Sequence, residues 1–266
     1  MKVVVLEPHG FCGGVKAALD KVAELEDVYC LHAIVHNELV IAGLRKRGFR
    51  FVESVDEVPE GATVVFSAHG VGPAVRAAAA RRSLKAVDAT CPFVAKVHRA
   101  VKDFAAKGLP VVIIGKRGHA EVEGIVGEIG KAYVYPELPE AGRIGVVSQT
   151  TMNSDEVAGI VAELSRKYEV ETMAEVCNAT KERQDAVRAF DGDALLVLGS
   201  GKSSNTKRLC DVAPCRTFMA GSMEEVRKLD FSGIGVLGVT SGASTPESFF
   251  EETLSFLGTM QTESIR

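Results

Sequence analysis

The stretch AVDATCP (86–92) reads as a strand that ends in a cysteine and turns directly into a helix. Pro92 suits a first helical position, where its missing N–H would have no intrahelical partner. Val94, Val97, Val101 and Phe104 then recur at helical spacing and form one apolar face. Two other stretches follow the same plan. KVVVLEP (2–8) runs into Gly-Phe-Cys-Gly-Gly around Cys12, and Val15, Leu19, Val22 and Leu25 mark the next helix. AEVCNAT (174–180) places Cys177 before a helix that runs through Val187.

Each of these starts a longer repeat. After the cysteine helix comes a second strand, a polar loop and a helix, and then a third strand with its own polar loop. In the first repeat LHAIV leads to His36-Asn37, and TVVFSA (63–68) leads to His69-Gly70. In the second, VVIIG (111–115) leads to Lys116-Arg117-Gly118-His119-Ala120-Glu121, and IGVVS (144–148) to Gln149-Thr150-Thr151. In the third, ALLVLG (194–199) leads to Ser200 through Asn205, and IGVLGVT (234–240) to Ser241-Gly242-Ala243-Ser244. Cys12, Cys91 and Cys177 fall at near-equal intervals.

Strands alternating with helices predict small α/β layers with mainly parallel sheets. The repeats divide the chain into units at 1–85, 86–172 and 173–266, the last with a C-terminal tail. Ligands in such layers bind beyond the carboxyl ends of the strands, where every cysteine and polar loop named above lies. Three units about an approximate threefold axis would aim three cysteines and six loops at one central cavity.

Composition narrows the function. Hydrophobic residues make up 46% and charged residues 25%, an ordinary globular balance. No apolar run reaches the roughly 18 residues that span a bilayer. The first residues are too quickly polar for a signal peptide, so a cytoplasmic location is expected. A net charge of −4, with scattered Lys and Arg and no Trp, favours neither nucleic acid nor an anionic membrane. An anionic substrate would need local donors. Six cysteines without a Cys-x-x-Cys pair argue against a zinc ribbon or a ferredoxin-type ligand run.

Three cysteines at equivalent helix starts are hard to explain as apolar filler, because a helix N-terminus favours the thiolate that a metal needs. Two metal groups suit three thiolates without a fourth: zinc with an open site, or a cubane cluster with one iron not held by the protein. Cys30, Cys210 and Cys215 fall outside the repeat and read as small buried residues. His36, His69 and His119 follow strands at matching places. Ser203, Ser204, Asn205 and Ser244 add neutral donors at helix starts, where phosphate binds well and where plain N-capping is the competing role. Glu121, two residues past His119, would oppose a bound phosphate unless it carries a proton, so it reads as a proton donor or relay. Thr150 could pass that proton. Gly201-Lys202-Ser203 fails as a P-loop because Leu196 stands at the required glycine. Gly199-Ser200-Gly201 fails as a dinucleotide fingerprint because Ser204 does.

With these residues the chain resembles the 4-hydroxy-3-methylbut-2-enyl diphosphate reductase family. The matching stretches are GFCGGV (10–15), HN (36–37), SAHGV (67–71), DATCP (88–92), GKRGHAEVEG (115–124), SQTT (148–151), CNAT with RQ (177–184), SSN (203–205) and TSGAST (240–245). Ala120 and Ser241 depart from the family's usual proline and alanine. The resemblance implies a trefoil of three α/β domains around one 4Fe–4S cluster held by Cys12, Cys91 and Cys177. It implies diphosphate binding by His36, His69, His119, Ser203, Ser204, Asn205 and Ser244, and proton delivery by Glu121 and Thr150. It implies reductive removal of the substrate hydroxyl, giving isopentenyl and dimethylallyl diphosphate, with ferredoxin or flavodoxin as electron donor. A cluster-bearing sensor that binds diphosphate without turnover is the competing class. Glu121 discriminates the two, since binding alone needs no acid there. A zinc-loaded hydrolase is a third reading.

Overall fold

The computed structural model describes the backbone of residues 1–263; residues 264–266, the end of the expected tail, lie outside the described residues. In chain order the elements are β1 (Lys2–Val5), α1 (Gly13–Asp20), β2 (Tyr29–Leu31), α2 (Glu38–Lys46), β3 (Arg50–Val52), β4 (Thr63–Phe66), α3 (Pro73–Arg81), β5 (Lys85–Asp88) and α4 (Pro92–Ala106). There follow β6 (Val111–Ile114), α5 (Ala120–Ile129), β7 (Tyr133–Val134), β8 (Arg143–Ser148), α6 (Ser154–Leu164), β9 (Glu169–Met173) and α7 (Asn178–Arg188). The last are β10 (Ala194–Leu198), α8 (Ser204–Asp211), β11 (Arg216–Ala220), α9 (Met223–Val226), β12 (Val236–Ser241) and α10 (Glu247–Glu263).

The strands form three four-stranded parallel sheets, in orders β3-β2-β4-β5, β7-β6-β8-β9 and β11-β10-β12-β1. The orders are equivalent. Each sheet ends on the strand that leads to a cysteine, so that strand pairs with the sheet preceding its cysteine in sequence. For Cys12 no sheet precedes, and β1 joins the C-terminal sheet instead: Lys2 pairs with Val236 and Val5 with Val239. The repeat thus closes on itself around the chain.

The described chain divides into two compact units. A terminal unit takes Met1–Gly13, His36–Gly43 and the chain from Asn178, and holds the β1-containing sheet. A middle unit takes Gly14–Val35 and Leu44–Cys177, and holds the other two sheets.

Alternation along the buried strands builds the cores. In β10, Ala194, Leu196 and Leu198 pack with Phe249, Phe250 and Leu257, while Leu195 and Val197 face Val187 and Leu209 on the other side. In β6, Val111 and Ile113 pack with Val97, Val101 and Phe104 of α4, while Val112 and Ile114 meet Val157, Leu164 and Tyr168. The apolar stripe expected on α4 is therefore a core face.

Two strands lie elsewhere than the sequence predicts. LHAIV is extended only at its start, because β2 ends at Leu31 and His32 adopts φ 59°. The strand before Cys177 is Glu169–Met173 rather than Ala174–Val176: the Ala174 N–H donates to Thr172 Oγ1 and turns the chain. Among the described residues no helix is long and apolar enough to cross a membrane.

Candidate functional site

Each of the three cysteines stands immediately before a helix: Cys12 before α1, Cys91 as the N-cap of α4, and Cys177 before α7. Pro92 occupies the first turn of α4, as expected. One backbone contact is common to all three. The Cys12 N–H donates to the Ala243 carbonyl at 3.0 Å, Cys91 to Ala68 at 3.0 Å, and Cys177 to Thr150 at 3.1 Å. Each acceptor lies two residues beyond the third strand of its sheet, β12, β4 or β8. One local device thus fixes every cysteine at the carboxyl end of a sheet.

In the terminal unit, the Cys12 loop is clamped at both backbone groups of one residue, Gly10. Ser241 Oγ accepts the Gly10 N–H at 2.7 Å, and buried Arg183 donates to the Gly10 carbonyl at 2.9 Å. Gly10 has φ 67°, and a side chain there would strike the Glu247 carboxylate. Asn205 is buried, and its Oδ1 accepts the Ala243 N–H at 2.9 Å. Asn205 therefore steadies the residue whose carbonyl holds Cys12. Ser203 caps α8, its oxygen accepting the Thr206 N–H at 3.3 Å, and Ser204 and Asn205 form the first turn. Both roles weighed for these residues, capping and anion binding, share one helix start. Ser244 Oγ donates to the His36 carbonyl at 3.3 Å, so the His36 and Ser244 loops meet.

In the middle unit, His69 and His119 lie edge to face, with ring centroids 5.6 Å apart and planes at 85°. Ser67 Oγ lies 3.2 Å from His69 Nδ1. His119 caps α5, its Nδ1 accepting the Glu121 N–H at 3.2 Å. Glu121 is only 2% exposed, unusual for a carboxyl group without a cation. Its oxygens accept the Thr150 N–H at 2.7 Å and the Thr150 hydroxyl at 3.0 Å. Burial pushes its pKa up to about 7, against the opposing pull of the two Thr150 hydrogen bonds. Near neutral pH such a group can hold a proton and give it up.

Sequence reasoning passed over Gln149. It is buried; its Oε1 accepts the Lys116 N–H at 3.0 Å and its Nε2 donates to Thr151 at 3.0 Å. It thereby joins the His119 loop to the Thr150 loop. Its place in the SQTT stretch was the available signal.

None of the six cysteines is in a disulfide, and Cys12, Cys91 and Cys177 are half-buried. Burial pushes the Cys30 thiol up to about 12. Cys210 rises to about 11, through burial and then the Asp211 charge. Burial also raises Cys215. A thiol held in its protonated form is a poor metal ligand. Cys12, Cys91 and Cys177, each at a helix start, fit a thiolate-bound metal group, because a helix N-terminus favours the thiolate.

Thiols, imidazoles, hydroxyls and a buried acid beyond the strand ends of parallel sheets define the class: an α/β protein with its polar groups gathered at the carboxyl ends of its strands. Residues 3–258 match the LytB protein family, and the chain belongs to it. A 4-hydroxy-3-methylbut-2-enyl diphosphate reductase of Acidithiobacillus ferrooxidans is 39% identical over 97% of this chain and 89% of its own length. One of Burkholderia mallei is 38% identical over 100% of this chain and 88% of its own. The solved structure of the E-1-hydroxy-2-methyl-but-2-enyl-4-diphosphate reductase from Plasmodium falciparum is similar with TM-score 0.88 and 31% identity, covering 97% of this chain and 87% of that one. A second solved structure, of a reductase described as the terminal enzyme of the non-mevalonate pathway, matches with TM-score 0.69 and 31% identity over 97% and 100% of the two chains.

Proposed function

We propose that this chain carries out the reaction its relatives are named for. It removes the hydroxyl group of (E)-4-hydroxy-3-methylbut-2-enyl diphosphate by reduction, yielding isopentenyl and dimethylallyl diphosphate, the last step of the non-mevalonate pathway. Near full-length similarity to named reductases supports the reaction. The buried Glu121–Thr150 pair is the observation that carries it, because a binding protein has no use for a buried acid poised near neutrality.

Cys12, Cys91 and Cys177 would hold one 4Fe–4S cluster, which when bound supplies electrons and a Lewis-acidic iron. The shared backbone anchor of the three cysteines and their place at helix starts support that assignment. His36, His69, His119, Ser203, Ser204, Asn205 and Ser244 would bind the diphosphate through imidazole, hydroxyl and amide donors and through the start of α8. Glu121 would give a proton to the departing hydroxyl, which leaves as water. Thr150, bonded to both carboxyl oxygens through its N–H and hydroxyl, would keep the acid in place and return a proton to it. Overall the reaction takes two electrons and two protons. A ferredoxin or flavodoxin would deliver the electrons one at a time, in a cytoplasm that keeps the six thiols reduced.

The test is anaerobic turnover of the hydroxylated diphosphate by the purified, cluster-loaded chain with a reduced artificial donor. The two isomeric diphosphates should appear as the donor is consumed. An intact cluster that binds substrate without forming either product would favour the sensor class instead.

A further inference from the structure

His98 has no part in the roles given so far. It lies on α4, two turns past Cys91, and its side chain is 6% exposed. Its Nδ1 stands 2.8 Å from Oε1 of Glu128, whose side chain is 5% exposed in the last turn of α5. Lys102, one turn further along α4, reaches the other oxygen of Glu128 at 3.4 Å. A carboxylate is unfavourable at a helix C-terminus and costly to bury without donors. Glu128 therefore takes the Nδ1–H of His98, which fixes the ring's tautomer and orientation. Nε2, on the far edge of the ring, makes no hydrogen bond among the described residues.

That far edge meets the loop that follows His69. A Cβ built on Gly70 would fall 2.8 Å from His98 Nε2 and 3.1 Å from its Cε1. Gly70 also has φ 77°, so this position requires glycine twice over. Helix α5 approaches the same loop. A Cβ on Gly124 would fall 3.0 Å from the Gly70 carbonyl oxygen and 3.4 Å from His98 Cε1, and one on Gly72 would fall 2.8 Å from the Gly127 carbonyl carbon. The loop and α5 are thus in contact backbone to backbone, with the His98 ring wedged against both. The loop starts at His69, and α5 starts at its cap, His119.

We propose that His98 is a positioning residue: its ring, held by Glu128, sets the separation of the His69 and His119 imidazoles and so the affinity for a diphosphate. This rests on the diphosphate reading above. Packed interiors transmit small displacements, and removing a wedged ring lets loop and helix shift into the space it leaves. A shift of either imidazole away from its partner loosens the hydrogen bonds the pair can offer an anion, and each charge-assisted bond is a strong one. Glu121 is held separately by Thr150, so its chemistry should survive the change.

The test is a pyrophosphate titration of the anaerobically purified full-length holoenzyme, with KM and kcat for the substrate measured beside it. His98→Leu should weaken pyrophosphate binding and raise KM by about tenfold, with kcat within about threefold of wild type. Iron and sulfide content should not change. His98→Asn, which can return an N–H to Glu128, should recover most of the loss. Gly124→Ala should raise KM in the same way by pushing on the Gly70 carbonyl, and decides the matter if His98→Leu does not fold. Wild-type affinity in His98→Leu, or in Gly124→Ala if His98→Leu does not fold, alongside weakened binding in His69→Ala, would overturn the positioning role. A fall in kcat with KM unchanged would overturn it as well. If His69→Ala too bound pyrophosphate like wild type, the diphosphate reading itself would fail.

Discussion

The loops of the terminal and middle units sit at equivalent places and carry different chemistry. Beyond β12 and β4 the carbonyl that anchors a cysteine belongs to an alanine, Ala243 or Ala68. Beyond β8 it belongs to Thr150, and there the side chain and N–H reach a buried acid. The terminal unit offers neutral groups: Ser203 capping α8, Asn205 bracing Ala243, and Ser244 on the His36 loop. The middle unit offers the paired imidazoles of His69 and His119, and Glu121. A shared scaffold thus places thiols by one rule, while the neighbouring side chains differ: neutral hydroxyl and amide groups in the terminal unit, imidazoles and a buried acid in the middle unit. Asn205 in the terminal unit and Glu121 in the middle unit should therefore fail in different ways when replaced.

The largest effect should come from what the units share. Cys12→Ser in the terminal unit and Cys91→Ser in the middle unit should each lose or damage the cluster and nearly all activity. Iron and sulfide analysis with the visible spectrum reads this out, and full cluster occupancy in either variant would remove that cysteine from the ligand set. Next, Glu121→Gln should lower turnover by about 10²–10⁴-fold, the range general acid catalysis contributes. Substrate affinity should hold or improve, since a negative charge leaves the neighbourhood of the diphosphate.

The same substitution should change stability with pH. The pKa of Glu121 in the folded protein, about 7, lies above its ordinary 4.5. The folded state therefore binds this proton more tightly than the unfolded chain does. Wild type should lose stability as pH rises between those two values, and stay lower above them. Glu121→Gln is exempt, so at pH 8 it should gain on wild type by about 3 kcal/mol. At pH 4 the gain should vanish. Denaturant titrations of substrate-free protein at the two pH values would measure it. A smaller effect belongs to the terminal unit: Asn205→Ala should weaken substrate binding by about 1–3 kcal/mol. Its kcat should fall far less than that of Glu121→Gln. If Asn205→Ala lost cluster instead, its bond to the Ala243 N–H would matter more than any contact with substrate. Smallest of all, Cys210→Ser should leave cluster content unchanged.

Much of the fold is legible in the sequence. Pro92 and the Val94–Phe104 stripe mark α4, and the apolar runs at 111–114 and 194–198 mark buried parallel strands. Their signals are local, set by helical period and chain stiffness. The pairing of β1 with β12 was not legible, because nothing in KVVV names its partner across the chain. The strand before Cys177 was misplaced because Thr172 ends it through a side-chain bond that hydropathy does not register. Among the proposed site residues, the cysteines and histidines are marked by repeated places after strands, and Glu121 by standing two residues past His119. Gln149 and His98 stayed hidden because each acts through what it packs against or bridges. A lone buried polar residue carries no periodic mark.

The most direct test of proton delivery from the middle unit is the pH dependence of single turnover, comparing wild type with Glu121→Gln. Reduced, cluster-loaded protein would be mixed with substrate, and loss of the carbon–oxygen bond followed. In wild type the rate should be high at low pH and fall as pH rises through about 7, as Glu121 loses its proton. In Glu121→Gln the rate should be low throughout and lack that fall. A Glu121→Gln profile that matched wild type in height and shape would show that the proton comes from elsewhere, and would contradict the account.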